Sequence, residues 1–321
     1  MKTAIITGIS GQDGSYLASL LINKGYKVIG LTRSKNTIIT DNLKYLDIFN
    51  EVIIEECDMT DIKIVTSLLK KYSPIEIYNL TAQSSVSVSF KQPIETISFN
   101  TISVLNILES IRLIDKNIKF YQAASSEMYG NVKDLPIKIN SPMHPMSPYG
   151  ISKASSFWTV NNYRESYNLF CCCGVLFNHE SYLRSTNFFV KKVIFESITN
   201  LKNPNWVLKV GNLDIQRDFG YSPDYVEAMW MMLQQKYPND FIICSGKSIS
   251  LRSIVEYVFD KLNISHNKIF IDKLLFRPAE IINIYGNNDN ANLILGWNYT
   301  KNFYEVLDIL IEEEIKNQPK F

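Results

Sequence analysis

Through the first half of the chain, apolar runs of strand length alternate with stretches whose apolar residues recur at helical spacing. Thr3–Thr7, Lys27–Leu31, Glu51–Glu55, Glu76–Leu80, Ile118–Ala123 and Phe170–Leu176 read as strands. Gly14–Lys24, Asp61–Lys71, Ile97–Ile114 and Tyr149–Tyr167 read as helices, the first closed by Gly25 at the position where a left-handed residue commonly ends a helix. Such alternation predicts an α/β fold in which a doubly wound parallel sheet is covered on both faces.

After Phe177 the pattern loosens, with Pro204, Pro223, Pro238 and Pro278 interrupting shorter elements. Amphipathic helices are expected at Asp224–Gln235, Leu251–Lys261 and Phe303–Ile315. Residues 1–178 are therefore read as a dinucleotide-binding domain, rejoined by about 212–236, and residues 179–321 mainly as a smaller C-terminal substrate-binding domain. No internal repeat or low-complexity segment interrupts this plan.

Composition narrows the partners. Of 321 residues, 46% are hydrophobic and 20% charged, which is ordinary for a globular chain with a large core. The formal net charge of +1 gives no bulk field for nucleic acid or an anionic membrane, so neither is expected as a partner. No stretch reaches the roughly 18 apolar residues of a membrane span. Met1-Lys2-Thr3 runs straight into a strand rather than a signal peptide, and the expected location is cytoplasmic. Five cysteines, three of them consecutive at Cys171–Cys173, lack the spacing of a zinc site and read as reduced thiols in a buried strand, so no metal is expected.

The first turn carries Gly8, Ser10, Gly11, Gln12, Asp13 and Gly14 in a T-G-x-x-G-x-x-G pattern between a strand and a helix. Glycines there let backbone N–H groups approach a pyrophosphate at the positive helix end, the mark of a Rossmann dinucleotide site. After the second strand, Thr32 stands where an acid usually holds the ribose of NAD, and Arg33 and Ser34 follow. A missing carboxylate beside a guanidinium favours NADP, with NAD possible; the alternative for Arg33 is a solvated surface arginine. Asp58 and Met59 follow the third strand, at the expected adenine position. Leu80, Ala82 and Ser84 follow the fourth, near the nicotinamide ribose.

Ser125, Ser126 and Glu127 end the fifth strand, at the sheet edge where open α/β proteins bind ligands. Tyr149 and Lys153 lie one helical turn apart, so the ammonium is expected beside the phenol, favouring its ionised form near neutral pH. Hydride transfer needs that base and a nicotinamide. A carboxylic acid at Glu127 would add the acid/base group for removing a carbon-bound proton and expelling hydroxide; otherwise it is a turn carboxylate near a helix dipole.

These motifs, with Thr7–Leu17 (TGISGQDGSYL), Asn162–Tyr167 (NYRESY), Leu176–Glu180 (LFNHE), Gly211–Asp214 (GNLD) and Arg277-Pro278-Ala279-Glu280, resemble the GDP-mannose 4,6-dehydratase family of extended short-chain dehydrogenases/reductases over nearly the whole chain. The resemblance implies that Ser125, Glu127, Tyr149 and Lys153 are catalytic and that Lys153, His179 and Arg184 touch the cofactor. It further implies a GDP-linked hexose against Ser84, Ser125, Ser126, Asn178, Val190, Arg217 and Arg277, and a homodimer or homotetramer formed through Ile97–Ile114 and Tyr149–Tyr167.

The chain also departs from that family's pattern. Ser125 replaces a threonine, Ser34 stands in place of a second arginine, the segment 36–51 is shorter, and Val193 falls where lysine is usual. These changes favour a sugar other than mannose, with GDP-N-acetylglucosamine preferred and GDP-mannose the alternative. UDP-glucuronate decarboxylases share the S-x-E and Y-x-x-x-K set, 4-epimerases and 4-reductases would not need Glu127, and a non-catalytic dinucleotide sensor would be expected to lose Tyr149 and Lys153.

Overall fold

A computed structural model describes residues 1–36, 38 and 40–318. The first half contains β1 (Thr3–Thr7), α1 (Gln12–Asn23), β2 (Lys27–Thr32), α2 (Asp41–Tyr45), β3 (Val52–Glu56), α3 (Ile62–Tyr72), β4 (Glu76–Asn79), α4 (Val86–Lys91), α5 (Pro93–Ile114), β5 (Lys119–Ser125), α6 (Pro148–Tyr167) and β6 (Cys171–Leu176). The second half contains β7 (Asn178–Glu180), α7 (Phe189–Thr199), β8 (Leu208–Val210), β9 (Gln216–Tyr221), α8 (Ser222–Leu233), β10 (Phe241–Ile243), β11 (Ser248–Ser250), α9 (Leu251–Lys261), β12 (Ile269–Ile271), β13 (Asn283–Ile284) and α10 (Phe303–Asn317).

Seven parallel strands form the main sheet in the order β10-β6-β5-β4-β1-β2-β3. Alternate residues of one strand serve opposite faces: Ile5 packs with α3, α5 and α6, whereas Ala4 and Ile6 pack with α1 and α8. Strand order reverses between β1 and β4, and that reversal opens a crevice at the carboxyl ends. Gly25, at φ +79°, closes the first helical segment as expected.

The six predicted strands appear within two residues of their expected limits. The seventh, Phe241–Ile243, has only three residues and was hidden between two irregular stretches. Helix α5 starts at Pro93 rather than Ile97, because proline's fixed φ suits a first helical turn. By length and composition α5 could cross a bilayer, contrary to the expectation that no stretch qualified. Its buried face instead packs on α3 and α6. All five cysteines are free and buried, Cys171–Cys173 within β6.

A second core gathers α7, α9 and α10 around β8 and β9. Strand β9 pairs with β7, β11 and β13, forming a small sheet beside the carboxyl edge of the large one. The cleft between these units is lined by Ser125, Glu127, Tyr149 and Arg217.

Candidate active site

The glycine turn is tight for a steric reason. Gly8 has φ +69°, and a Cβ on Gly14 would lie 2.2 Å from the Gly8 carbonyl oxygen. Helix α1 has no side-chain N-cap, so its first amides are left for an anion. They open onto a cavity of about 790 Å³ lined by Gly8, Ser10, Gly11, Thr32, Arg33 and Ser34 among others. Size, glycine cradle and uncapped helix together fit a dinucleotide.

Two residues expected to bind that dinucleotide are engaged with the protein. His179 Nδ1 donates to the Phe177 carbonyl at 2.7 Å, and Nε2 stands 2.8 Å from Asp13 Oδ2. Both partners are acceptors, so the ring must carry two protons. Burial opposes that charge, but Asp13 outweighs it and raises the imidazole's proton affinity. Burial likewise opposes ionisation of Asp13, and His179 overcomes it, holding the carboxyl well below its usual range. Ser222 donates to Asp13 Oδ1 at 2.8 Å, while Gln12 Nε2 donates to the His179 carbonyl at 3.2 Å. The glycine turn is thus braced to β7 and α8.

A contiguous second cavity, about 310 Å³, brings Ser125, Glu127, Tyr149 and Lys153 together with Arg217 and Arg277. Lys153 makes no hydrogen bond to the Tyr149 oxygen among the described residues. Its ammonium donates to the Ala123 carbonyl at 2.7 Å and lies 5.7 Å from the Tyr149 ring centre. Burial pulls Lys153 down to about 8 and pushes the Tyr149 phenol up to about 12, with the Ser125 hydroxyl opposing the latter. In the protein alone, burial therefore shifts the phenol away from the ionised form that the helical spacing was expected to favour.

Burial also raises the proton affinity of Glu127, against the charges of Arg217 and Arg277. Its backbone N–H donates to Ser125 Oγ at 3.3 Å, which fixes the turn that carries it. Both guanidiniums meet Glu280: Arg217 at 3.0 Å and Arg277 at 3.3 Å.

Beneath the cleft a polar line crosses three strands. Thr7 Oγ1 donates to Asn79 Oδ1 at 2.6 Å, Asn79 Nδ2 to Gln122 Oε1 at 2.7 Å, and Gln122 Nε2 to the Ala123 carbonyl at 3.0 Å. That carbonyl is the one holding Lys153.

The model of the family described as GDP-mannose 4,6 dehydratase matches residues 5–310. A GDP-mannose 4,6 dehydratase of Drosophila melanogaster is 37% identical, covering 98% of this chain and 86% of the fly protein. The chain belongs to the GDP-mannose 4,6-dehydratase family. A GDP-mannose 4,6-dehydratase of Vibrio cholerae is 36% identical over 98% of this chain and 94% of its own length. Among solved structures, UDP-glucose 4-epimerase of Thermotoga maritima superimposes with a TM-score of 0.88 at 21% identity, covering 98% of this chain and 99% of that one. A Bacillus anthracis dTDP-glucose 4,6-dehydratase gives 0.87 at 18% identity, covering 99% and 97%. These two likenesses establish the extended dehydrogenase/reductase fold.

Within this dehydratase-family chain, Ser10, Arg33, Ser34 and Met59 line the larger cavity, and Asp13, Leu80, Ala82, Asn178 and His179 the smaller. Gly8, Gly11, Gln12, Ser84 and Arg184 bound both. Asp58 lines neither; its carboxylate turns to the Thr60 amide at 2.9 Å. Val190 is fully buried in the second core, and Ser126 is buried outside both linings. The pattern reading missed Phe188, which walls both cavities, and the pair Tyr45 and Tyr182 beside the dinucleotide cleft, whose rings lie 4.8 Å apart. Tyr182 and Phe188 lie outside regular elements and Tyr45 ends a five-residue helix, so none carries a periodic signal.

Proposed function

We propose that this chain is a GDP-sugar 4,6-dehydratase that converts GDP-mannose to the 4-keto-6-deoxy sugar with a bound nicotinamide dinucleotide, NADP in preference to NAD. The observation that carries the reading is the meeting of Glu127 with Ser125, Tyr149 and Lys153 in one cavity. Once bound, the dinucleotide supplies a reversible hydride store and a positive ring charge that favours the phenolate. Tyr149 takes the proton of the sugar O4, with Ser125 at its oxygen. Glu127, whose raised proton affinity suits both directions of transfer, removes the C5 proton and delivers it to the departing C6 oxygen. Arg217 and Arg277 supply forked donors for the nucleotide diphosphate.

NADP is favoured by Arg33 at the rim and by the lack of an acid at Thr32. Mannose is favoured by the relatives' names, while Val193 is fully buried in the second core and cannot read a sugar. The departure at that position therefore loses its weight in favour of GDP-N-acetylglucosamine. A homodimer through α5 and α6 is supported by their exposed Ile94, Leu113 and Trp158; size-exclusion chromatography with light scattering tests it.

The deciding experiment incubates the protein with GDP-mannose, GDP-N-acetylglucosamine and UDP-sugars without added reductant, followed by mass spectrometry. GDP-mannose loses one water. An isomer of unchanged mass would make the enzyme an epimerase, and no dehydration of any GDP-sugar would overturn the reading.

A further inference from the structure

Arg184 stands at the junction of the two cavities and contributes to the lining of both. Its backbone is fixed by a turn in which the Arg184 N–H donates to the Ser181 carbonyl at 3.1 Å. The guanidinium lies 3.5 Å over the ring of Phe188, which also walls both cavities. Glu180, on β7, is its one carboxylate partner among the described residues, and the approach is incomplete. Arg184 Nε and Glu180 Oε2 are 3.7 Å apart, beyond hydrogen-bond length. Both atoms are buried and lack any hydrogen-bond partner among the described residues.

A buried carboxylate oxygen and a buried N–H facing each other without a bond represent a cost that native structures rarely leave standing. The cost is relieved when a ligand anion orders the guanidinium and draws the pair into register. Either ligand of the proposed reaction can do this, because the arginine borders both clefts. The second ligand then meets an arm already in place.

Resting on the dehydratase reading above, we propose that Glu180 is a positioning residue that holds Arg184 as a shared wall, so that a bound dinucleotide tightens the binding of the sugar nucleotide and the reverse. Such coupling is reciprocal by linkage. Neither Glu180 nor Phe188 touches a reacting atom in this scheme; they act through Arg184.

Calorimetric titration of GDP into the full-length protein, with and without saturating NADP, measures the coupling directly. Wild type is expected to bind GDP at least about fivefold more tightly with NADP present. In Glu180→Gln that factor falls below about twofold, while GDP affinity without NADP changes by less than about threefold and the melting temperature is retained. Equal coupling in wild type and variant, or no coupling in wild type, overturns the inference. If Glu180→Gln does not fold, Phe188→Leu, which removes the ring under the guanidinium, must lower the factor in the same way, and an unchanged factor overturns the inference. Failure of wild type to bind GDP at all would overturn the substrate reading itself, and this coupling with it.

Discussion

Lys153 donates its ammonium to the backbone carbonyl of Ala123, and this contact holds the cation 5.7 Å from the centre of the Tyr149 ring. The charge is therefore held by the sheet itself, at the last residues of β5, beside the turn that carries Ser125 and Glu127. Burial pushes the Tyr149 phenol up to about 12, and the Ser125 hydroxyl and the Arg184 charge oppose that shift.

Replacing Lys153 by methionine keeps the stem but removes the charge and leaves the Ala123 carbonyl with one donor fewer. Turnover should fall by about 10²- to 10³-fold. Circular dichroism should show the fold retained, because Gln122 Nε2 still donates to that carbonyl.

Glu127→Gln keeps the shape and removes the proton shuttle. Water loss should fall by about 10²- to 10⁴-fold. Oxidation at C4 should persist, visible as near-ultraviolet absorbance of reduced nicotinamide when substrate is added. In wild type, Glu127 must start ionised, and its proton affinity is raised above the ordinary carboxyl value of 4.5. The rate should accordingly drop on acidification at a pH above 4.5, and the variant's residual rate should lack that limb.

Asp13→Asn tests the buried pair with His179. Asp13 has a depressed proton affinity, so its contribution is present above 3.8 and is lost as pH falls through its lower folded value. His179 has a raised one, so its contribution is full below 6.5 and is lost as pH rises through its higher folded value. The stability gap between wild type and variant should be widest between those limits, at about 3 kcal/mol, and should narrow in alkaline buffer. Denaturant melts across pH measure it; a gap independent of pH would refute the ion pair.

Arg33→Ala should weaken NADP about tenfold and leave NAD nearly unchanged, since only the former carries the 2′-phosphate. Fluorescence titration of both reduced dinucleotides gives the comparison. Equal losses would assign Arg33 to the rim alone.

The large sheet was legible because its six long strands are apolar runs separated by helical periods, each carrying its own signal. Strands β7, β10 and β11, three residues each, gain their pairing only from partners far along the chain. At the site, the Y-x-x-x-K spacing correctly put Tyr149 and Lys153 on one helix and in one cavity, but not the ammonium's partner. A backbone carbonyl from another strand leaves no mark in a side-chain pattern. Asp13 and His179 were legible as residues of the dinucleotide end, whereas their pairing, 166 positions apart, required the fold.

The amide line from Thr7 through Asn79 to Gln122 has a consequence for redesign. It ties three neighbouring strands together and, through Ala123, the lysine, without using Arg33 or Ser34. Arg33 and Ser34, which border the dinucleotide cleft outside that line, can therefore be recoded while the acid and base keep their places. A library confined to those two positions should retarget the cofactor and inherit the proton chemistry intact.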